Sequence, residues 1–380
     1  MSIATVETFV VRQKLDTPFY FSQWEYDQRA VCLVKVTTQD GQYGWGEGYG
    51  PAEVVAAGVR FLAPHLIGQD PLKTATLWQM LYRRALDFAR RGVLAASLSA
   101  LDIALWDLKG KLLDQPVSTL LGGQRRDRVP VYATGLYFTH TPDLPAALAQ
   151  EAQGYVAQGF RAIKMKVGLG IEADVTNVLA VRAAIGPRVA LMIDANHAYN
   201  RREALALAQH LEPVGIGWFE EPLSPEDYAG YAELRLRTSI PLAGGECEYY
   251  AAGFRHLVEA PCVDIAQPDL CAAGGLTEGA RIAALCHTFG VEVTPHCWGT
   301  GIAFATGLHF TSTLDTLPGR MMPAAPLLEM DRSENPLRDE LTLPRFVVED
   351  GAVAVPTQPG LGVDVDADLL RDLTQPETNQ

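Results

Sequence analysis

The chain has 380 residues, a length that favours two domains. Of these, 48% are hydrophobic and 20% charged, which is typical of a globular protein. Its formal net charge of -14 argues against nucleic acid as a partner. No apolar run reaches the length of a membrane-spanning helix and the N-terminus lacks a secretory pattern, so we expect a cytoplasmic protein with no membrane partner.

The six cysteines show no C-x-x-C spacing. We therefore predict free thiols in a reducing compartment, without a disulfide framework and without a zinc site.

Residues 1–125 predict a small α+β domain. Asp40-Gly41 is a tight-turn signal that joins two strands as a hairpin. Strands are predicted at Ile3–Leu15, Arg29–Thr38 and Tyr43–Glu47, and helices at Pro51–Leu66, Thr74–Phe88 and Val93–Leu112.

Two stretches of this domain predict loops. Phe19–Tyr26 follows a break at Asp16-Thr17-Pro18 and holds many aromatic residues, so it is either a loop pinned onto the core or a lid over a pocket. Gly44, Gly46, Gly48 and Gly50 lack the residues of a phosphate-binding loop, and we predict a mobile loop after the hairpin.

Residues 126–345 alternate between short apolar runs and helical stretches, which predicts a parallel sheet closed into a (β/α)8-type barrel, a modified TIM barrel. Strands are predicted at Val129–Thr134, Ala162–Val167, Ala190–Ile193, Ile216–Phe219, Leu242–Ala243, Val263–Ala266, Glu292–Thr294 and Leu327–Glu329. Residues 346–380 form a C-terminal segment, with strand-like runs at Arg345–Val348 and Ala352–Val355, that we expect to pack back on the first domain, which caps the barrel.

Lys164 and Lys166 lie one residue apart in the second barrel strand and therefore project from the same face. Two buried ammonium groups are costly without compensation, so an anionic partner is expected opposite them.

Asp194, Glu220 and Glu246 each follow a predicted barrel strand at a spacing of 26 residues (220 − 194 = 26 and 246 − 220 = 26). Acids at consecutive strand ends converge on one spot and would repel one another without a cation. Each acid alone would more commonly cap the following helix. Three in register with two lysines opposite predict a site for a hard divalent ion, with Mg2+ first and Mn2+ second.

Asp269 and His296 end the sixth and seventh strands. An acid that holds the imidazole through Nδ1 leaves Nε2 aimed at the pocket, which favours a catalytic role over an ordinary structural hydrogen bond.

This arrangement suggests proton abstraction next to a metal-bound carboxylate. Lys166 is the candidate base, with a pKa lowered by Lys164 and the ion, and Lys164 would bind the substrate carboxylate. On the other face His296 would return a proton or assist a leaving group, and Glu329 could donate a hydrogen bond if it is protonated.

The lysine pair, Asp194-Ala195-Asn196, Glu220-Glu221-Pro222, Glu246 and the Asp269/His296 dyad together resemble the mandelate racemase subgroup of the enolase superfamily. The resemblance implies Asp194, Glu220 and Glu246 as Mg2+ ligands, Lys166 and His296 as acid/base residues and Glu329 as a hydrogen-bond donor. It also implies that Phe19–Tyr26 and Gly46–Gly50 close over the substrate, and that the chain forms dimers or octamers. We assign the substrate contacts to Lys164, Asn196, Phe19, Trp24, Tyr49 and Trp298.

Within this subgroup, stretches such as Leu66–Pro71, Gln267–Cys271 and Pro295–Gly301 are similar to the galactarolactone cycloisomerase branch. Such enzymes remove the α-proton of a sugar-diacid lactone and expel the ring oxygen from the β-carbon, giving a 3-deoxy-2-keto-hexarate. An acid-sugar dehydratase, a racemase or epimerase, and a non-catalytic sugar-acid-binding protein are the alternatives. The partner expected in each case is a small acid sugar or its lactone.

Overall fold

The computed structural model describes residues 2–317, 321 and 324–374. The first domain is an antiparallel sheet of three strands in sequence order, covered by helices. Its elements are β1 (Ile3–Phe21), β2 (Trp24–Thr38), β3 (Tyr43–Gly48), α1 (Ala52–Leu62), a 3-10 turn (Ala63–His65), α2 (Thr74–Ala85), α3 (Val93–Leu113) and α4 (Val117–Leu120). This confirms the α+β cap, and in the described ranges no helix is both long and apolar enough to cross a bilayer.

The predicted aromatic loop is wrong, because Phe19–Tyr26 forms the tip of the β1/β2 hairpin. Phe19 pairs with Tyr26 and Phe21 with Trp24, and the chain turns at Ser22-Gln23. Asp16-Thr17-Pro18 produces a register shift within β1 without ending the strand. We call residues 19–26 the hairpin tip.

The strand predicted at Tyr43–Glu47 is confirmed as β3, and the loop predicted over the glycines is wrong as far as Gly48, because Gly44, Gly46 and Gly48 lie on one face of β3. Helix α3 packs directly on that face: a Cβ on Gly46 would lie 2.0 Å from the carbonyl oxygen of Ala100. A Cβ on Gly44 would lie 2.3 Å from that of Ala104. Close packing of helix on strand, rather than loop mobility, requires these glycines.

The second domain is a barrel of eight parallel strands with a helix after each of the first seven, which confirms the modified TIM barrel. Hydrogen bonding runs from β10 through β9, β8, β7, β6, β5 and β4 to β11. The strands are β4 (Arg128–Thr134), β5 (Ala162–Lys166), β6 (Ala190–Asp194), β7 (Ile216–Glu220), β8 (Leu242–Gly244), β9 (Ile265–Ala266), β10 (Glu292–Val293) and β11 (Leu328–Asp331). The helices are α5 (Leu144–Ala157), α6 (Ile171–Ile185), α7 (Arg201–Leu211), α8 (Tyr228–Arg235), α9 (Tyr250–Glu259), α10 (Gly275–Thr288) and α11 (Gly301–Thr313).

The chain after β11, which includes the C-terminal segment, contacts both the barrel and the cap. Its elements are α12 (Pro336–Asp339), β12 (Thr342–Leu343), β13 (Ala352–Ala354), β14 (Asp364–Val365) and α13 (Ala367–Leu373). Strand β13 pairs with β4, and Asp364 accepts hydrogen bonds from Tyr43 and Trp45 of the cap. The strand expected at Arg345–Val348 does not form.

Buried acids fix the cap to the barrel. Glu47 of β3 accepts hydrogen bonds from the backbone N–H of Thr300 and Ala303 at the start of α11. Asp102 of α3 does the same for Thr277 of α10. Because these carboxylates bind the free N–H groups of barrel helices, the cap is held over the carboxyl ends of the strands.

Candidate active site

An apolar layer fills the barrel interior beneath the polar residues. It consists of one side chain from each of six strands, Tyr132, Ala162, Met192, Trp218, Ala243 and Ile265, with Leu327 packed against it. Side chains two residues further along a strand point to the same side. The layer above is therefore polar, and it consists of Thr134, Lys164, Asp194, Glu220, Gln267 and Glu329, all of them buried.

Lys164 and Lys166 both reach carboxylates in this layer. Lys164 is 1% exposed, and its Nζ forms ion pairs with Glu220, with Glu329 at 2.9 Å and with Asp194 at 3.7 Å. Burial opposes its charge, but the facing carboxylates raise the pKa of Lys164 well above its usual value. Lys166 Nζ lies 2.6 Å from Asp194 Oδ2 and 2.8 Å from Asn196 Oδ1.

Asp194 and Glu220 are cross-strand neighbours in the β6/β7 register. Burial opposes ionisation of Asp194, but Lys166 and Lys164 lower its pKa to about 2. Glu220 accepts hydrogen bonds from Trp218 Nε1 at 2.9 Å and Gln267 Nε2 at 2.6 Å. Burial raises the pKa of Glu220 to about 7, and the negative charge of Asp194 adds to the shift.

Glu246 follows β8 and completes a set of three carboxylates at the ends of three consecutive strands. The negative charge of Glu246 helps to raise the pKa of Glu220 and of the neighbouring Glu221. The donors of this set are carboxylate oxygen atoms only. This donor set fits a hard divalent cation such as Mg2+.

His296 is held by Asp269 in the geometry expected from the sequence. Its Nδ1 lies 2.6 Å from Asp269 Oδ2, while Nε2 lies 3.4 Å from Glu246 and 3.8 Å from Glu329. Burial opposes protonation, but the charges of Glu246, Glu329 and Asp269 raise the pKa of His296 to about 10. These charges favour the protonated imidazole, which is the form that can donate a proton.

Glu329 lies within the eighth barrel strand, β11, and faces Lys164. It accepts hydrogen bonds from Thr134 Oγ1 at 2.5 Å and from the backbone N–H of Cys297 at 2.9 Å. Although burial opposes ionisation, Lys164 and His296 lower the pKa of Glu329 to about 2. In this structure Glu329 accepts hydrogen bonds. Among the described contacts it donates none, so the predicted donation by a protonated Glu329 is not seen.

A cavity of about 650 Å³ opens over these groups and contains several of the expected substrate contacts. Lys166, Asn196, Glu246, His296 and Glu329 line it, together with Trp24, Tyr49 and Trp298. Lys164 and Phe19 are not in the lining: Lys164 lies beneath the carboxylates, and Phe19 packs behind Tyr26 and Tyr137. A larger cavity, of about 1120 Å³, lies at the opposite ends of the strands, away from the polar layer.

Three residues that support the wall of this cavity were not singled out from the sequence: Arg29, Asp331 and Tyr137. Arg29 and Asp331 form a buried ion pair at 2.7 Å, and the Arg29 guanidinium lies 3.6 Å from the ring centre of Trp298. Trp298 Nε1 donates a hydrogen bond to the hydroxyl oxygen of Tyr137 at 2.8 Å, and the Tyr26 ring packs edge-on against Trp298. Partners as far apart as Arg29 and Asp331 leave no local sequence signal, whereas the alternation of aromatic residues at 19, 21, 24 and 26 indicates strand pairing.

Comparisons with known proteins agree with this fold and site. The family "Enolase C-terminal domain-like" matches residues 147–369, and "Mandelate racemase / muconate lactonizing enzyme, N-terminal domain" matches residues 3–122. The chain therefore belongs to the mandelate racemase/muconate lactonizing enzyme family of the enolase superfamily.

Its relatives are isomerases and lyases. The D-galactarolactone cycloisomerase of Agrobacterium fabrum is 42% identical over 377 residues, which cover 99% of this chain and 100% of the relative. The crystal structure of the 3,6-anhydro-D-galactonate cycloisomerase from Zobellia galactanivorans is 50% identical with a TM-score of 0.91, covering 99% of this chain and 100% of that one. The L-talarate dehydratase from Polaromonas sp. JS666, complexed with Mg and L-glucarate, is 31% identical with a TM-score of 0.86, covering 99% and 98%. The chain is accordingly an enzyme of the isomerase or lyase kind.

Proposed function

We propose that the chain is a Mg2+-dependent lactone cycloisomerase that acts on a galactaro- or glucaro-lactone. The supporting observation is that Lys166, His296 and Glu246 line one cavity. Lys166 bonds Asp194, and Asp269 holds His296 through Nδ1. A substrate carboxylate bound there has a proton-accepting group and a proton-donating group within reach.

Asp194, Glu220 and Glu246 would hold the ion, which supplies positive charge to the substrate carboxylate and so acidifies the neighbouring C–H bond. The neutral form of Lys166 takes the α-proton. The C–H electron pair forms a double bond between the α- and β-carbons, and the bond from the β-carbon to the ring oxygen breaks. The resulting enol tautomerises to a 3-deoxy-2-keto-hexarate.

The leaving group determines how much His296 contributes. A lactone ring oxygen leaves as a carboxylate, which is a stable anion and needs little help. An ether or hydroxyl oxygen leaves as an alkoxide and requires a proton, which protonated His296 can donate. Tyr49 packs against the His296 ring with the ring centres 5.3 Å apart and limits its movement.

Two other substrates fit the same bond changes. A 3,6-anhydro-galactonate also carries a ring oxygen on the β-carbon, and the 50% identity to the Zobellia galactanivorans enzyme favours it as the second candidate. An open-chain aldonate or aldarate would lose water instead, as a dehydratase substrate. Epimerisation would use Lys166 and His296 on opposite faces, and pure sugar-acid binding is disfavoured because no predicted ligand or base is missing.

We further propose cytoplasmic location, assembly into a homo-oligomer between dimer and octamer, and domain limits at residues 125 and 345. The composition of the chain supports the first of these.

A screen of the purified protein in D2O with Mg2+ tests the proposal. The panel contains galactaro- and glucaro-1,4-lactone, 3,6-anhydro-D-galactonate, and open-chain galactonate and galactarate, and both 2-keto acid formation and α-deuterium incorporation are measured. We expect ring-opened product with a lactone, and no turnover when excess chelator removes the ion. Turnover of open-chain acids alone would replace the cycloisomerase with a dehydratase, and full activity in chelator would refute the metal site.

A further inference from the structure

A second group of potential metal ligands lies beside the carboxylate site. His197, Glu221 and Cys247 come from the same three strand ends as Asp194, Glu220 and Glu246, a few residues further along the chain. One donor atom from each lies within 4.8 Å of the other two. The group offers nitrogen, oxygen and sulfur donors, whereas the carboxylate site offers oxygen alone.

The spacing of these donors matches the geometry of a tetrahedral ion. His197 Nε2 lies 3.1 Å from Glu221 Oε2, and Cys247 Sγ lies 3.6 Å from His197 Nε2. Donors about 2.0–2.3 Å from one ion, at tetrahedral angles, lie about 3.3–3.6 Å from each other. The separations of His197 from Glu221 and from Cys247 are therefore close to those that one tetrahedral ion requires.

The histidine is already oriented for such a role. Its Nδ1 lies 3.0 Å from the backbone oxygen of Leu223, so in the neutral ring Nδ1 carries the proton and Nε2 presents a lone pair to the other two residues. A backbone partner on the second ring nitrogen is the usual support of a metal-binding imidazole. Both His197 and Cys247 line the cavity, so an ion can enter from it.

We propose that His197, Glu221 and Cys247 form a second divalent-cation site, for a borderline metal such as Zn2+, distinct from the Mg2+ site. The thiolate and imidazole select against Mg2+, and three protein ligands leave a fourth position for water. Binding by Cys247 releases its thiol proton to the solvent. This assignment revises the expectation, drawn from cysteine spacing alone, that no cysteine belongs to a zinc site.

Asn196 links the second cation site to the proposed base, Lys166. Its side chain contacts Glu221 Oε2 at 3.5 Å and Lys166 Nζ at 2.8 Å. An ion that binds Glu221 therefore changes the environment of Lys166 without occupying the carboxylate site, and Zn2+ inhibits the enzyme even when Mg2+ is saturating.

Co2+ provides a spectroscopic test that does not depend on activity. Protein saturated with Mg2+ is titrated with Co2+, which gives a sulfur-to-metal charge-transfer band only if a thiolate binds it. We expect the band to saturate at one Co2+ per chain, to disappear on addition of Zn2+, and to be absent in Cys247→Ala and His197→Gln. Cys286→Ala, which removes a buried cysteine of α10, serves as the matched control and should keep the band.

Alkylation of the wild-type protein tests the same site without a variant. At a Zn2+ concentration ten times its dissociation constant, modification of Cys247 by iodoacetamide should slow about tenfold. The proposal is overturned if Mg2+-saturated wild-type protein gives no thiolate band, if Cys247→Ala keeps it, or if Zn2+ leaves the alkylation rate of Cys247 unchanged.

Discussion

At the residue scale, the buried pair of Arg29 and Asp331 supports the wall of the cavity. The guanidinium bonds Asp331 at 2.7 Å and stacks on the Trp298 ring, while Arg338 also reaches Asp331 at 3.1 Å. Arg29 thus joins the cap strand β2 to the end of β11 and to the loop after β10.

Arg29→Met should destabilise the fold, because it leaves Asp331 buried with Arg338 as its remaining described charge partner. We expect the free energy of unfolding to fall by about 3 kcal/mol. Adding Asp331→Asn should recover part of that loss, which urea denaturation of the two single variants and the double variant will measure. Arg371→Met, at a side chain that is 73% exposed, is the control and should stay within about 0.5 kcal/mol of wild type. Simple additivity of Arg29→Met and Asp331→Asn would contradict the pairing.

The candidate site residues could be singled out from the sequence, whereas this pair could not. Asp194, Glu220 and Glu246 recur at the period of one strand and helix, so the chain itself encodes their convergence. Arg29 and Asp331 lie 302 residues apart, and only the docking of the cap brings them together.

At the element scale, β3 is adapted to the helix that covers it. Gly44, Gly46 and Gly48 face α3, and the short distance between strand and helix places Glu47 where it can bind the start of α11. Helix α11 begins just after Trp298, so this packing also fixes the loop that carries His296.

Gly46→Ala should destabilise the cap, because its Cβ would meet the backbone oxygen of Ala100, which cannot rotate away. We expect a loss at the upper end of the usual range for overpacking, about 3 kcal/mol, in urea denaturation. Gly154→Ala is the matched control: the residue lies in α5 with nothing within 4 Å of the added Cβ, and alanine there should stabilise by up to about 1 kcal/mol. Equal effects of the two substitutions would show that packing on β3 is not tight.

The alternation of residue types in the sequence is consistent with the strands seen at both places. Glycines at every second position indicate a strand with one bare face, just as Phe19, Phe21, Trp24 and Tyr26 indicate a paired hairpin. Pro18 predicts the end of a strand, because proline removes a ladder hydrogen bond. In the structure β1 continues through Pro18 with a register shift between Lys14 and Phe19. The glycine pattern depends on α3, which packs on β3, and the aromatic pattern depends on β2, which pairs with β1. Neither contact is visible in the local sequence.

At the scale of the whole molecule, His309 of α11 joins three parts of the chain. Its Nδ1 accepts the backbone N–H of Ser118 at 3.2 Å, and its Nε2 donates to the backbone oxygen of Leu361 at 3.1 Å. These bonds require the neutral ring. Burial lowers the pKa of His309 from 6.5 to about 4, and the bond to Leu361 opposes that shift only in part.

Because the pKa of His309 is lower in the folded state, its contribution to stability is present above pH 6.5 and is lost as the pH falls towards 4. The expected loss is about 3 kcal/mol. His309→Gln cannot take up a proton, so its stability should decline less between these pH values than that of wild type. Chemical denaturation at several pH values measures the difference, and exposed His210→Gln should follow wild type. Identical acid slopes for His309→Gln and wild type would contradict the neutral ring.

Lys166 is proposed to take the α-proton and His296 to donate a proton to the leaving group. Deuterium incorporation at the α-carbon tests these two roles most directly. Galactaro-1,4-lactone and 3,6-anhydro-D-galactonate are incubated in D2O with Mg2+ and wild type, Lys166→Met or His296→Asn, with Lys73→Met, whose side chain is 66% exposed, as a surface control. We predict that Lys166→Met loses both exchange and ring opening by at least about 10³-fold, since it lacks the base. His296→Asn should keep exchange but open the anhydro ring at least about 10²-fold more slowly, because the alkoxide has lost its proton donor. Exchange that survives in Lys166→Met and disappears in His296→Asn would contradict the assignment.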